Sequence, residues 1–390
     1  MKTLRLKKKE DRRIRRGHPW AFSNEFDEIP KSLAPGEIVL VADYAGRPVG
    51  TGYVNPHSLI AVRLLTRGDE PFSVGLLRKR IEDAKALRER FYPDRNSWRG
   101  VFSESDFLPG LIVDKYEGWL SVQSLTQGME RLLPDVLDAL TEIYEPSGIV
   151  LRNDSKQRTL EGLPLEKKIA YGEYRGAIDI DLYGLKLKAD LLEGQKTGFF
   201  LDQADNYFLL DKISADAGVL DLFCHTGAWG VTALKFGAKG ATFVDSSAPA
   251  LAFARENAQL NGCSERAEFI REDALTALKR FSDEGKKFDV VVADPPAFIK
   301  SRAKIAEGLR GYKDLNAKAL RLVRPGGFFV TCSCSHHLSR EGFYEMLRAS
   351  ASGTGRGVRI IETRSQSKDH PVLLAAPETE YLKCALMQVE

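Results

Sequence analysis

The chain is 390 residues long, with 43% hydrophobic and 28% charged residues, the balance of a globular protein able to bury a sizeable core. That excludes a disordered chain, a collagen-like repeat and a small disulfide scaffold. The formal net charge of +3 hides an uneven spread: residues 1–20 hold nine Lys/Arg against two Asp/Glu, residues 300–324 hold eight against two, and the remainder is acidic. Two basic islands on an acidic body predict contact with a polyanion.

No apolar run reaches the roughly 18 residues of a membrane helix. The basic start is followed by Glu10, Asp11 and four arginines rather than by the apolar core of a secretory signal. A cytoplasmic location is expected. In a reducing compartment the five cysteines (224, 263, 332, 334, 384) are expected to be core residues or chemistry, not disulfides.

Residues 1–70 predict a small β-rich unit, with strands over 37–42 and 59–65 and turns at Gly50, Gly52, Asn55 and Pro56. Residues 71–187 predict an α+β module. It opens on an amphipathic helix over 74–90, where Leu77, Ile81, Ala84 and Leu87 recur at helical steps. Strands follow at 110–114, 119–123 and 148–152, with a helix over about 130–144 carrying Pro134 in its first turn, and a hairpin (179–183, 185–189) around Gly184. From residue 188 to 390, strands at 218–223, 241–245, 267–270, 288–294 and 327–332 alternate with helices at 229–236, 248–261, 274–281, 316–323 and 341–350. The alternation predicts a doubly wound α/β domain on a mainly parallel sheet, whose ligands bind beyond the carboxyl ends of the strands. Asp221, Asp245, Asp273 and Asp294 fall at those ends, with Cys332 and Cys334.

The first strand-to-helix turn, Asp221-Leu-Phe-Cys-His-Thr-Gly-Ala-Trp-Gly230, lacks a glycine at 225 and so is no dinucleotide fingerprint, and no Walker Gly-Lys-Ser/Thr follows. A ligand with an adenosine ribose and no pyrophosphate fits better. Asp245, followed by Ser246, is placed for ribose hydroxyls; Asp273, followed by Ala274, faces the adenine amine or caps its helix. The combined pattern resembles class I S-adenosylmethionine-dependent methyltransferases, which implies Asp221, Phe223, Thr226 and Gly227 in the pocket of that cofactor. Upstream, Gln195, Thr197, Gly198 and Phe199 form a segment suited to cover a methionine moiety.

Asp294-Pro-Pro-Ala-Phe298 holds a carboxylate on a rigid loop. Thr331-Cys-Ser-Cys-Ser335 ends the next strand, and a thiolate beside such a cofactor suggests covalent catalysis on a pyrimidine: addition at C6 makes C5 able to attack a methyl group. Asp294 would stabilise charge built up on the base. A strand cysteine is otherwise a small buried hydrophobe, the reading preferred for Cys332; Cys224 reads as packing near the pocket, Cys263 and Cys384 as structural. Cys332, Cys334, His336 and His337 lack zinc-site spacing, and no metal is expected.

The chain resembles the large-subunit ribosomal RNA cytosine-5 methyltransferases of the RlmI type. Arg12-Arg-Ile-Arg-Arg-Gly-His-Pro-Trp-Ala-Phe-Ser-Asn24 is similar to the opening of that family's PUA domain, an RNA-binding β-barrel, and Glu104-Ser-Asp-Phe-Leu-Pro-Gly-Leu-Ile-Val-Asp114 to its central domain. Gly194–Asp202, Asp294–Phe298 and Ser333-Cys-Ser335 are similar to its catalytic motifs. The resemblance implies 23S ribosomal RNA as substrate, S-adenosylmethionine as donor and Cys334 as nucleophile. The family usually has a basic residue after Asp-Gln, where Ala204 stands here; Cys332 is an extra thiol; no second cysteine follows Asp-Pro, which leaves the acceptor of the C5 proton open, with His336 a candidate.

Under this reading Lys7, Lys8, Lys9, Arg12, Arg13, Arg15 and Arg16 contact RNA from one island and Lys300, Arg302 and Lys304 from the other. Trp20, Phe22 and Phe298 are candidates to stack on unpaired bases, or core in the case of the first two. Nothing predicts a homodimer seam. The competing readings are exocyclic-amine methylation through Asp294, a non-catalytic RNA-binding assembly factor, and, third, a small-molecule methyltransferase that leaves the islands without purpose.

Overall fold

A computed structural model describes residues 1–390. The chain forms two compact units: residues 1–180, 189–201 and 368–379 make the first, and residues 181–188, 202–367 and 380–390 the second.

The first unit holds two five-stranded sheets. One is ordered Lys2–Arg5, Glu37–Ala42, Pro48–Val54, Val62–Leu64, Trp20–Ala21, around a core of Leu6, Val39, Val41, Val54 and Val62. The expected strand at 59–65 is only Val62–Leu64, because Pro56 to Ile60 form turns and bends. The other is ordered Glu166–Tyr171, Gly148–Asn153, Trp119–Ser124, Leu111–Tyr116, Ser97–Phe102. Helices Val74–Phe91 and Gln127–Tyr144 bury Leu77, Ile81, Val136 and Leu140 with that sheet's Val101, Val113 and Val122. The second helix begins earlier than its apolar pattern predicts, since the Thr126 side chain caps it by accepting from Met129 N; Pro134 therefore sits inside the helix, not in its first turn. The Arg63–Glu161 ion pair (2.9 Å) and the Tyr53 hydroxyl on Pro109 O (2.7 Å) tie the first sheet to loops that flank the second.

The hairpin Ile178–Leu182 and Leu185–Ala189 turns on Tyr183 and Gly184, both at positive φ (58° and 80°), as a tight two-residue hairpin turn requires. Its second strand donates Lys188 N to Asn257 Oδ1 (2.9 Å) and Lys186 N to Asn261 Oδ1 (3.1 Å), within the second unit.

The second unit is the doubly wound α/β domain that the alternation predicts. Its seven-stranded sheet runs Ala267–Arg271, Gly240–Asp245, Gly218–Leu222, Phe288–Ala293, Val323–Ser333, Lys383–Val389, Val358–Arg364. Six of the strands run the same way, and only Lys383–Val389 is reversed, pairing antiparallel with Val323–Ser333 on one side and Val358–Arg364 on the other. The alternation predicts neither of the last two strands. Val358–Arg364 lies at the edge and is largely exposed, so it carries no alternating apolar face. The helix Ile305–Leu322 begins well before the predicted 316–323. Gly308 and Gly311 stand inside it, and a Cβ at Gly308 would lie 2.4 Å from Ile299 Cγ1. They let the helix press against the loop after Asp294.

Candidate active site

The loop after the central strand is strained. Phe223, His225 and Gly227 all have positive φ (58°, 48° and 77°), which turns the chain sharply into the helix Ala228–Lys235. Gly230 is needed for packing: a Cβ there would sit 2.3 Å from Phe243 Cε1. Thr226 is buried, and its carbonyl accepts from Asn257 Nδ2 (2.8 Å). Phe223 packs on the domain core, and Cys224 is buried with its thiol pushed up by desolvation.

Asp221 is fully buried. Its Oδ2 accepts from Gly230 N (2.9 Å), while Oδ1 has no hydrogen-bond partner. Burial raises its carboxyl to about 8, with the charges of Asp294 and Asp245 adding to the effect. Asp245 accepts from His225 N (2.9 Å) on one oxygen and Ser247 N (2.8 Å) on the other, leaving acceptor capacity on both. Asp273 caps the helix Ala274–Asp283, its Oδ1 accepting from Leu275 N (3.0 Å) and Thr276 N (3.1 Å). Ala274 is core, and Ser246 is exposed. Of the two roles expected for Asp273, the cap is the one the geometry displays.

Asp294 follows the strand Phe288–Ala293. Its Oδ2 accepts from Gln203 Nε2 (3.0 Å) and Trp229 Nε1 (3.1 Å), and Gln203 Oε1 accepts in turn from Asn206 (2.7 Å). Tyr207 lies edge-on to Trp229 at 5.0 Å, and burial pushes its phenol well up.

Ala293 pairs with Thr331, so the Asp294 loop and the Ser333–Ser335 loop leave neighbouring strands at one edge. Ser335 ties them together: its Oγ accepts from Ile299 N (3.2 Å) and bonds the Tyr312 hydroxyl (2.9 Å). Phe298 leans on Tyr312 at 4.6 Å. Cys334 is half-exposed, whereas Cys332 is fully buried opposite Cys384, its thiol held protonated by desolvation and by its Cys384 partner. His336 is exposed and stacks on Tyr381 at 5.1 Å.

A fully buried carboxylate oxygen without a partner, beside two further carboxylates, suits a cationic ligand. S-adenosylmethionine fits this donor set: Asp221 would face its charged methionine end, and Asp245 its ribose hydroxyls.

The other four residues expected at the cofactor belong to the first unit. Thr197 is buried, donates its hydroxyl proton to Asp114 and contacts the Tyr116 hydroxyl at 3.0 Å. Phe199 N donates to the same Tyr116 hydroxyl (3.1 Å), Gly198 N donates to Gln195 O (3.0 Å), and the Gln195 side chain is exposed.

The PUA-like domain family matches residues 4–67, and the family described as conserved hypothetical protein 95 matches residues 205–325. A Vibrio cholerae protein named ribosomal RNA large subunit methyltransferase I is 37% identical over 384 residues, covering 97% of each chain. Its namesake in Alteromonas mediterranea is 34% identical over 388 residues, covering 98% of each. The chain belongs to the ribosomal RNA large subunit methyltransferase I family. Its fold matches that of a Streptococcus mutans protein described as SAM-dependent, at a TM-score of 0.86 with 18% identity and full coverage of both chains. A methyltransferase structure holding SAH matches at 0.87, also with 18% identity and full coverage of both.

In this family member several cations of the basic islands form ion pairs within the chain. Arg13, half-buried, forms a forked pair with Glu25 (2.8 and 3.0 Å), and Arg15, exposed, binds Asp11 (2.6 Å) and Asp43 (2.9 Å). Lys7 donates to Asn24 O (2.9 Å) and Lys8 lies over Tyr44 (5.8 Å), yet both stay exposed, as do Lys9, Arg12 and Arg16. In the second island Lys304 pairs with Glu307 (2.6 Å), while Lys300, Arg302, Arg310 and Lys313 are exposed. Trp20 is half-buried, with Nε1 donating to Glu104 (2.9 Å), and Phe22 lies under Arg13 (4.8 Å).

Sequence reasoning missed Gln203, Tyr207, Trp229, Ser335 and Lys383. Gln203 and Trp229 stand in or beside recognisable motifs, but no spacing says that both point at Asp294. Lys383 carries no sequence signal at all.

Proposed function

We propose that the chain forms 5-methylcytosine in large-subunit (23S) ribosomal RNA, with Cys334 as nucleophile. S-adenosylmethionine is the methyl donor and supplies an electrophilic methyl on its sulfonium. One observation carries the reading: a half-exposed cysteine and a positioned carboxylate leave neighbouring strands at the edge that also carries Asp221 and Asp245. Cys334 Sγ bonds to C6 of the base, the C5–C6 electron pair becomes nucleophilic at C5, and C5 takes the methyl. Loss of the C5 proton, with His336 as acceptor, re-forms the double bond as the C6–S bond breaks and returns the thiolate. Asp294, aimed by Gln203 and Trp229, hydrogen-bonds the pyrimidine edge and stabilises charge during addition.

Residues 1–70 serve as a PUA-like RNA-binding module, 71–187 as a central α+β module and 188–390 as the methyltransferase domain, acting in the cytoplasm. Lys7, Lys8, Lys9, Arg12, Arg15 and Arg16 contact phosphates from the first, and Lys300, Arg302, Lys304, Arg310 and Lys313 hold the backbone beside the target base, which is flipped out of its stack. The test is Cys334→Ala on unmodified ribosomal RNA with isotopically labelled S-adenosylmethionine, the product digested to nucleosides. Label in 5-methylcytidine with wild type, and none with the variant, is expected. Label in an exocyclic amine, undiminished in the variant, would overturn the reading in favour of amine methylation through Asp294.

A further inference from the structure

Lys383 opens the penultimate strand of the sheet, directly across from Ser333 and so one residue before the level of Cys334. Only 5% of it is exposed. Its Nζ donates to two carbonyls, Ser335 O (2.7 Å) and Tyr381 O (2.8 Å). Neutral carbonyls satisfy an ammonium's hydrogen bonds but do not neutralise its charge, and a buried cation without a counter-charge is costly. The buried arginines show the usual solution: Arg63 pairs with Glu161, Arg88 with Asp106 and Arg99 with Asp114.

The groups around Lys383 identify the missing anion. Burial lowers the ammonium to about 8, and the strongest influence holding it up is Cys334, followed by Glu380. Glu380 is engaged by Arg340, whose own charge acts on Lys383 in the same direction as burial. On the far side, the Tyr312 phenol is pushed up by burial and stays neutral. His336 faces the ring of Tyr381. At neutral pH Lys383 therefore keeps its proton, beside a thiol whose ionised form would balance it.

We propose that Lys383 is a positioning residue that holds Cys334 in its thiolate form and pins the Ser335 carbonyl, and so the loop carrying the sulfur. The inference rests on Cys334 being the nucleophile. The thiol proton leaves to solvent before substrate binds, and Lys383 remains an ammonium throughout. This explains why a lysine stands at the start of a strand whose following residues, Cys384 to Met387, are all buried and apolar.

The test compares full-length wild type, Lys383→Gln and Lys383→Arg. Gln keeps a donor for the carbonyls and removes the charge; Arg keeps the charge. Alkylation of Cys334 by iodoacetamide is followed from pH 5 to 10 by peptide mass spectrometry, beside the pH profile of methyl transfer. Lys383→Gln is expected to slow alkylation at pH 7 by roughly tenfold, the equivalent of one unit in the thiol's ionisation. Its methyl-transfer profile moves to higher pH and recovers there, while Lys383→Arg stays close to wild type. Profiles of Lys383→Gln that superimpose on wild type would overturn the proposal. If Lys383→Gln does not fold, wild type alone decides: titration of Cys334 at or above the ordinary thiol value of about 8.5 overturns it. Cys334→Ala separates the two ideas, since its persistent activity removes the nucleophile, whereas its inactivity with unmoved Lys383→Gln profiles removes only Lys383.

Discussion

Asp221 is a side chain whose burial ties stability to pH. Burial holds its carboxyl at about 8, far above the 3.8 of an ordinary aspartic acid. The folded chain thus keeps a proton that the unfolded chain releases. Its contribution to stability is complete below about pH 4 and is lost as the pH rises toward 8. The melting temperature of the ligand-free protein should fall over that window, and fall less in Asp221→Asn; equal slopes would mean that another group balances the charge. A cationic ligand needs the ionised form, so S-adenosylmethionine affinity measured by calorimetry should rise from pH 6 to 8 in wild type and be weak and flat in the variant. The cysteines divide on the same ground of burial. Cys332, sealed opposite Cys384, should tolerate alanine with activity retained and a stability decrease of order 1 kcal/mol.

Elements set where those residues stand. Alanine in a helix interior usually stabilises by roughly 0.5–1 kcal/mol over glycine. At Gly230 the sign reverses, because the added Cβ would press on the Phe243 ring from 2.3 Å and the ring is boxed in by Phe269 at 4.8 Å. Gly230→Ala should cost about 1–3 kcal/mol by overpacking and shift the amide that holds Asp221. Thermal unfolding and cofactor titration should therefore worsen together; a stabilised variant would show that the helix slides without harm. The glycines of helix Ile305–Leu322 follow the same logic of close approach, which is why they do not break the helix.

Charge distribution belongs to the whole molecule. Every cation withdrawn from a phosphate should reduce the slope of log affinity against log salt by roughly 0.7 for single-stranded RNA. Reversing Lys300 and Arg302 together should flatten that slope by about 1.4 and leave the melting temperature unchanged. Arg13→Ala should do the opposite. It strips the partner from Glu25, which is only 8% exposed, so the protein should melt at lower temperature with its salt slope intact. Filter binding across salt concentrations and a thermal melt separate the two. An Arg13→Ala variant of normal stability and flattened slope would return Arg13 to the RNA surface.

Local patterns were enough for the five alternating strands of the doubly wound unit, because buried strands and amphipathic helices write their period into the chain: residues 218–222, 240–245 and 288–293 are short apolar runs between helical spacings. They also placed Asp221, Asp245 and Asp294 at strand ends, since the carboxyl end of a parallel strand follows from direction alone. What the residues lacked was any mark of long-range pairing. The antiparallel return of Lys383–Val389 brings a lysine from the far end of the chain to a cysteine loop, and the Glu25 and Asp43 carboxylates pair with Arg13 and Arg15 inside the basic island. Periodicity reports which face of an element is buried; the partner a charge meets depends on contacts between distant segments, which only packing creates.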